Sequence, residues 1–175
     1  MRRLILLRHT KSDWPDGIAD QERPLAVRGR EAAPRIGAYL ASEGLIADLV
    51  LVSPARRTRE TWELVAAQLR AMPAIRSEPR LYEAPVARLL SVVREQPAGV
   101  HTLMLVGHNP GSEELARLLI GSGPGEARAR MAEKFPTGGL AVIDLPVDDW
   151  EEAMPGRGRL DRFVTPRALG AGESS

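Results

Sequence analysis

The sequence predicts an α/β fold, a three-layer sandwich in which helices cover both faces of a central, mostly parallel sheet. Three short aliphatic runs, at residues 4–7, 48–52 and 102–106, are typical of strands that are buried on both faces. Helical patterns separate these runs, and such alternation indicates a parallel sheet. The 175 residues, 43% of them hydrophobic, suffice for one buried core, so we expect a single domain over residues 1–167.

The helical patterns are bounded by residues that typically end helices. Four helices are predicted, over residues 29–42, 54–71, 86–95 and 111–119. Gly44 follows the first pattern, Pro73 the second and Gly121 the last, and glycine and proline are common just beyond helix ends. Each predicted helix therefore lies, along the chain, between two predicted strands.

The last third of the chain has a different pattern. Residues 139–145 and 159–164 are typical of two further strands, and no helical pattern is evident between them. We therefore expect an antiparallel pair at one side of the sheet. The final residues, 168–175, are small and polar, and they are predicted to form a disordered tail.

The composition excludes several kinds of site and partner. Lys and Arg number 24 against 23 Asp and Glu, and this balance gives no overall field for nucleic acid or an anionic membrane. The absence of cysteine excludes disulfides, thiolate metal ligands and a cysteine nucleophile. The apolar run at residues 4–7 is too short for a signal peptide. We expect a cytoplasmic monomer, with Trp62, Trp150 and Tyr82 as packing residues.

Unusual polar residues follow three of the predicted strands. Arg8 and His9 follow the first, SPARRTRET (residues 53–61) follows the second, and GHNPG (residues 107–111) follows the third. In an open α/β sheet, ligands bind beyond the carboxyl ends of the strands. These three loops are therefore expected to converge, although about fifty residues separate each from the next.

Two of these loops begin helices, because a preferred N-cap residue followed by proline occurs at Ser53 and at Asn109. Arg57 then lies in the first turn of one helix, and His108 lies immediately before the other. A cation at the positive end of a helix is unfavourable unless an anion binds there. A bound phosphate would resolve this conflict.

The residue types in these loops predict phosphoryl transfer. The guanidinium groups of Arg8 and Arg57 suit bidentate contact with a tetrahedral oxyanion, and histidine can attack phosphorus as a nucleophile. A metal site on His9 and His108 is the alternative, but nearby arginines would repel a cation and no His-x-x-His or Glu-x-x-His spacing is present. We therefore predict a site without a metal or cofactor.

The chain resembles the histidine phosphatase superfamily, whose signature is Arg-His-Gly or a variant at the end of the first strand, here Arg8-His9-Thr10. Further similar motifs are SDW (residues 12–14), RPLAVRG (23–29), LVSPARRTRET (51–61), LYEA (81–84) and LVGHNPG (105–111). The ordered set is more similar to the short SixA-like phosphohistidine phosphatases than to the phosphoglycerate mutases. This resemblance implies a phosphoglycerate mutase-like fold without a large cap insertion.

The resemblance also implies roles for individual residues. His9 would be the nucleophile that becomes phosphorylated. The phosphoryl group would be bound, and its charge stabilised in the transition state, by Arg8, Arg57 and His108. Arg57 rather than Arg56 fits the arginine position of the family, because it stands four residues before Thr61. Further contacts with phosphate or substrate are expected from Arg23 and Asn109.

The general acid has two candidates. Glu83, in LYEA, stands about where mutase-like members keep a catalytic glutamate, and Asp13, also considered as a substrate contact, is the reserve. An imidazole leaving group needs less help from a proton donor than an alkoxide does, so the lack of a strong acid would itself favour phosphohistidine.

The substrate hypothesis depends on chain length. Mutases and acid phosphatases of this superfamily insert capping segments over the site, whereas residues 83–101 hold barely one helix and its loops. An open pocket suits a phosphorylated protein side chain, so the leading hypothesis is a phosphatase for a phosphohistidine protein such as a phosphotransfer domain. A broad phosphatase for small phosphate esters and a non-catalytic phosphate-responsive binding module are the alternatives.

Overall fold

The computed structural model describes residues 1–170, and these residues have the predicted α/β architecture. The strands are β1 (Arg2–Arg8), β2 (Leu49–Val52), β3 (Ala74–Ser77), β4 (Thr102–Gly107), β5 (Ile120–Ser122), β6 (Leu140–Leu145) and β7 (Gly158–Val164). The helices are α1 (Val27–Ser42), α2 (Arg56–Ala66), α3 (Val86–Arg94), α4 (Gly111–Leu119) and α5 (Gly125–Glu133).

One mixed sheet contains these strands in the order β3-β2-β4-β1-β6-β7-β5. Strands β3, β2, β4 and β1 are mutually parallel, as the alternating pattern predicts. Strand β6 runs antiparallel to both β1 and β7, which confirms the predicted antiparallel pair. Three observed elements, β3, β5 and α5, were not predicted from the sequence. They carry little of the buried apolar pattern on which the prediction depended.

The first strand is buried on both faces and divides the core into two layers. Leu4 and Leu6 belong to the layer covered by α3 and α4, whereas Ile5 and Leu7 belong to the layer covered by α1 and α2. This division follows from the two-residue period of a strand. Each of these side chains is at most 1% exposed, and burial of one such aliphatic group stabilises the fold by about 1.5–3 kcal/mol. The strand is thereby a rigid support for the residues that follow it.

The described chain end includes the first residues of the predicted disordered tail. Arg167–Leu169 forms a 3₁₀ turn, and Leu169 packs against the core layer that contains Ile36. Residues 168–170 of the predicted tail thus belong to this turn or follow it directly, and the half-buried Leu169 attaches the turn to the core. Residues 171–175 of the predicted tail lie outside the described residues. None of the helices within residues 1–170 is long and apolar enough to cross a membrane.

Candidate active site

The carboxyl ends of β1, β2 and β4 lie side by side. Arg8 is paired with Gly107, and Val52 is paired with Val106. The pairing continues past the strand ends, where the His9 amide donates to the Gly107 carbonyl at 3.0 Å. A cavity of about 400 Å³, here called the phosphoryl pocket, opens at this edge. Its walls include six of the eight predicted site residues: Arg8, His9, Arg23, Arg57, His108 and Asn109.

His9 is held in the form that a nucleophile requires. Its Nδ1 lies 2.7 Å from the carbonyl oxygen of Thr10, and because that oxygen can only accept, Nδ1 carries the proton and Nε2 the lone pair. Burial lowers the pKa of His9 well below its usual value, and the charges of Arg8 and Arg57 act in the same direction. The ring is therefore neutral near pH 7, with Nε2 available to attack.

Thr10, which stands where many similar proteins have glycine, anchors the His9 loop to α2. Its backbone amide donates to Thr61 Oγ1 at 3.1 Å, and its own hydroxyl lies 3.2 Å from the same oxygen. Thr61 Oγ1 in turn donates to the Arg57 carbonyl at 2.7 Å. The nucleophile loop and the first turn of α2 are thus joined by buried hydrogen bonds, and this connection fixes His9 relative to Arg57.

His108 faces His9 across the phosphoryl pocket, with ring centroids 5.5 Å apart. Its Nε2 lies 2.7 Å from Ser53 Oγ, which also accepts a hydrogen bond from the Ala55 amide and so has its proton free for His108. Burial, and then the charge of Arg57, lowers the pKa of His108 to about 4. A neutral ring that accepts a hydrogen bond at Nε2 carries its proton on Nδ1. Nδ1 is therefore the atom that can donate to a ligand.

Three buried nitrogens of residues that line this pocket have no hydrogen-bond partner within residues 1–170: Arg8 Nε, Arg57 Nε and His108 Nδ1. They come from the loops after β1, β2 and β4, the three loops that were expected to converge. Buried N–H groups in proteins are almost always paired, so three such donors on residues of one pocket are groups that a ligand with acceptor atoms would satisfy. A tetrahedral oxyanion has the charge and the number of oxygens to satisfy them.

Other contacts hold the arginines in place. Arg8 donates to the Phe135 carbonyl at 3.0 Å, and Asn109 donates its amide to the same oxygen at 3.0 Å. Asn109 Oδ1 accepts from the Glu113 amide at 3.2 Å, so this side chain also caps α4. The predicted residues Arg8 and Asn109 are therefore tied to one backbone group on the far side of the pocket.

Arg23 is almost fully buried, at 7% exposure, and its guanidinium lies in the pocket wall. It donates to Ser12 Oγ at 2.6 Å and to the Asp13 carbonyl at 3.0 Å. Its guanidinium carbon also lies 3.2 Å from the centroid of the exposed Trp14 ring. Arg23 thus joins residues 12–14 to the pocket.

Asp13 is not brought into the site as a carboxylate. Ser12 and Leu25 form an isolated antiparallel bridge, and the alternation of side chains there buries Ser12 and leaves Asp13 exposed. Asp13 is not one of the described residues that line the two cavities at the carboxyl edge of the sheet. Its contribution is through the backbone carbonyl that holds Arg23, so its expected contact with substrate and its reserve role as proton donor lose their support.

Glu83 lies in a second cavity of about 450 Å³ that adjoins the phosphoryl pocket and is here called the side cavity. The two share four wall residues: Asp20, Arg57, His108 and Asn109. Glu83 has a φ of 49°, and it is the one non-glycine residue of positive φ within residues 1–170. Such a conformation is unfavourable for glutamate and is concentrated at functional sites. The position is consistent with a proton donor at the edge of the site.

Asp20 and Tyr82 are site residues that the sequence analysis missed. The Asp20 carboxylate accepts from Arg23, from Arg57 and from the Tyr82 hydroxyl. The Tyr82 ring lies edge-on to His108 with centroids 5.5 Å apart, so this expected packing residue packs within the site. Trp62 and Trp150, at 5% and 0% exposure, are packing residues as expected. In the sequence, only position could have indicated these two residues: Asp20 lies shortly before the RPL motif, and Tyr82 is part of the LYEA motif.

The charge of the phosphoryl pocket suits an anion. Its wall contains the cationic side chains of Arg8, Lys11, Arg23 and Arg57 against the one carboxylate of Asp20. Within residues 1–170, no group of three or more His, Cys, Asp or Glu side chains is arranged to hold a metal ion. A neutral, buried histidine among arginines at the carboxyl edge of an α/β sheet defines a class of enzyme that transfers phosphoryl groups through histidine.

The chain belongs to the histidine phosphatase superfamily (branch 1), whose family model matches residues 4–133, and it is a phosphatase of the SixA-like type. An uncharacterized protein of Mycobacterium tuberculosis is 39% identical over 163 residues, which are 92% of this chain and all of that protein. A crystal structure from Agrobacterium tumefaciens, assigned as the phosphohistidine phosphatase SixA, has a TM-score of 0.80 and 32% identity, over 94% of this chain and 98% of that one. The protein histidine phosphatase SixA complexed with tungstate has a TM-score of 0.73 and 25% identity, over 95% and 99%.

The lowered pKa of His108 predicts a specific dependence of stability on pH. His108 titrates near its usual 6.5 in the unfolded chain and near 4 in the folded protein, so between these values the unfolded chain binds more protons. The stability that this group contributes is therefore present above pH 6.5 and lost as the pH falls towards 4. Between pH 7 and 4.5 we expect a loss of about 2 kcal/mol from this source.

The variant His108→Gln isolates this contribution, because glutamine can still contact Ser53 and does not titrate. Urea unfolding at pH 7 and at pH 4.5 should show a smaller loss of stability in the variant than in the parent protein. Equal losses in the two proteins would mean that His108 is not held neutral by its surroundings.

Proposed function

We propose that this phosphatase removes the phosphoryl group from phosphohistidine in a protein, through a phosphohistidine intermediate on His9. The observation that carries the proposal is the set of unpartnered buried donors, Arg8 Nε, Arg57 Nε and His108 Nδ1, in the pocket of a neutral histidine. Tungstate is a tetrahedral oxyanion like phosphate, and its complex with the similar SixA supports an oxyanion as a ligand of this kind of protein.

The proposed reaction has two steps. In the first, His9 Nε2 attacks phosphorus in line, a new N–P bond forms, and the N–P bond of the substrate breaks. The departing imidazole takes up a proton from Glu83 or from water. In the second, water attacks phosphorus, the bond to His9 breaks, and inorganic phosphate leaves. Arg8, Arg57 and His108 would stabilise the charge on the equatorial oxygens in both steps.

The surroundings of the pocket support a protein substrate. Between β3 and β4 the chain holds only the short helix α3 and its connections, so no inserted domain covers the site. The adjoining side cavity contains Glu83 and Glu114. A second anionic group that enters this cavity, as in a sugar bisphosphate, would meet the carboxylates of Glu114 and Asp20 beside Arg57, whereas a neutral imidazole would meet no such repulsion. A phosphotransfer domain offers such a phosphohistidine on an exposed helix face.

The decisive experiment compares substrates on the same protein. Phosphate release should have a kcat/KM at least tenfold higher for a phosphohistidine phosphotransfer domain than for sugar phosphates, nucleotides or p-nitrophenyl phosphate. A higher value for the small esters would establish the alternative of a broad small-molecule phosphatase. Binding of a phosphorylated protein without phosphate release would establish a binding module and contradict the proposal.

A second prediction concerns Glu83 as the proton donor. Glu83→Gln keeps the size of the side chain but cannot give up a proton, so its cost should grow with the basicity of the leaving group. We expect a fall in kcat of about 10²-fold for an alkyl phosphate and a fall of less than about threefold for p-nitrophenyl phosphate and for phosphohistidine. Steady-state kinetics with the three substrates provide the measurement. A uniform loss on all three would exclude proton donation as the role of Glu83.

A further inference from the structure

The carboxylate of Asp20 is the meeting point of three separate parts of the chain. Its Oδ1 accepts from Arg23 NH1 at 3.0 Å, and its Oδ2 accepts from Arg57 NH2 at 3.1 Å and from the Tyr82 hydroxyl. Its backbone carbonyl accepts from Arg57 NH1 at 2.8 Å. Asp20 is thus bonded to two arginines of the phosphoryl pocket and to the tyrosine that contacts His108.

The loop that carries Asp20 is closed at its base. The Ala26 amide donates to the Lys11 carbonyl at 2.8 Å, and the Asp13 amide donates to the Pro24 carbonyl at 2.9 Å. Residues 11–13 and 24–26 therefore run together, with Asp20 on the segment between them. The Leu25 amide also donates to Glu60 Oε1 on α2 at 2.8 Å. This anchoring holds Asp20 against α2, the helix whose first turn contains Arg57.

The bonds to Asp20 determine which edge of Arg57 remains for a ligand. A guanidinium has five N–H groups in one plane, and Asp20 takes one from each terminal nitrogen of Arg57. The Nε group is on a different edge, is buried, and has no partner among the described residues. Asp20 thereby fixes the rotation of the guanidinium and leaves free the edge that would meet an oxyanion in two-point contact.

We propose that Asp20 is a positioning residue of the phosphoryl pocket: it orients Arg57 and Arg23 so that their remaining N–H groups face the phosphoryl oxygens. This inference rests on the proposed use of Arg57 as a phosphate ligand. Asp20 itself makes no bond to substrate in this scheme. Its negative charge also separates two arginines that would otherwise repel each other, and Tyr82 holds the carboxylate in place from the other side.

The test compares Asp20→Asn with Asp16→Asn, which removes the same charge from an exposed position of the same loop. Asparagine keeps the shape of Asp20 but offers one acceptor oxygen to three donors. We expect Asp20→Asn to weaken the binding of inorganic phosphate, measured by titration calorimetry, about tenfold, and to raise KM by a similar factor. Asp16→Asn should change both by less than about twofold, and both variants should melt within a few degrees of the parent protein.

A variant cycle distinguishes positioning from a separate role. If Asp20 acts through Arg57 and Arg23, then Asp20→Asn added to a protein that carries both Arg57→Ala and Arg23→Ala should change kcat/KM by less than about threefold, whereas a separate role would repeat the full loss. Tighter phosphate binding by Asp20→Asn would overturn the proposal in another way, since the carboxylate would then be a competitor of phosphate. A parent protein without phosphatase activity refutes the proposed function, whereas an active parent with an unaffected Asp20→Asn refutes only the positioning role.

Discussion

Replacement of His9 by alanine is expected to reduce phosphate release by a factor on the order of 10⁴ or more, because the proposed reaction has no covalent route without a nucleophile at this position. The loss should be in kcat, since the three unpartnered donors of Arg8, Arg57 and His108 remain and can still bind phosphate. Rapid quench with radiolabelled substrate should give the parent protein an acid-labile, alkali-stable label. The His9→Ala protein should acquire none.

Two further measurements make this result specific to the nucleophile. Titration with inorganic phosphate should show that His9→Ala still binds the anion, which separates loss of chemistry from loss of the pocket. Circular dichroism and thermal melting should show that the variant is folded. Turnover that persists in His9→Ala, or a label that maps to another residue of the parent protein, would be incompatible with the two-step mechanism.

The strands that support this site are predictable from the sequence because they are buried on both faces. Strand β1 is recognised from four consecutive aliphatic residues, and β4 and β6 from similar runs, so their positions differ from the prediction by only a few residues. Strand β3 is exposed along its whole length, and it is a strand because its backbone pairs with β2. Helix α5 buries only Ala127 and Met131, which is too weak a pattern to find. Elements defined by their neighbours have no local signal.

The start of α2 differs by two residues from the local rule. Ser53 followed by proline predicts a capped helix from residue 54, but α2 begins at Arg56 and its N-cap is Ala55, with no side-chain cap. The Ser53 hydroxyl instead lies 2.7 Å from His108. Donation to His108 leaves the lone pairs of this oxygen free, and it accepts from the Ala55 amide at 3.4 Å, just before the helix, instead of from an amide of the first turn. The prediction that Arg57 lies in the first turn is nevertheless confirmed.

The fold by itself predicts convergence only for site residues at the ends of buried strands, whereas Arg23 was predicted from the family resemblance. Arg8, His9 and His108 follow β1 and β4, so the sheet topology alone brings them together. Asp20 and Tyr82 lie in loops that meet only through tertiary contacts, 62 residues apart in the chain. No spacing rule connects such positions, and composition does not distinguish them from other loop residues. These two residues can be identified only from the folded structure, in which the closed loop holds Asp20 against α2.

Arg57→Ala is expected to lower kcat by about 10²–10³-fold, the usual cost of one donor that stabilises charge in a transition state. Arg57 is 6% exposed, it lines the phosphoryl pocket, and its buried Nε has no partner among the described residues. Arg57→Lys should recover only a small part of this loss, because an ammonium keeps the charge but not the planar two-point contact. Steady-state kinetics with a phosphohistidine protein and with p-nitrophenyl phosphate should show the same order: parent, lysine variant, alanine variant.

Arg56→Ala is the matched control, since it removes the same charge from the adjacent position of the same helix turn. Arg56 is exposed and is paired with Glu60 at 3.2 Å, a contact worth at most about 1 kcal/mol of stability. Its loss should change kcat/KM by less than about twofold. If both substitutions cost the same, a general positive field at the start of α2 would account for the effect. A difference of two orders of magnitude between neighbours requires instead that the direction of Arg57, set by Thr61, Asp20 and burial, is what the reaction uses.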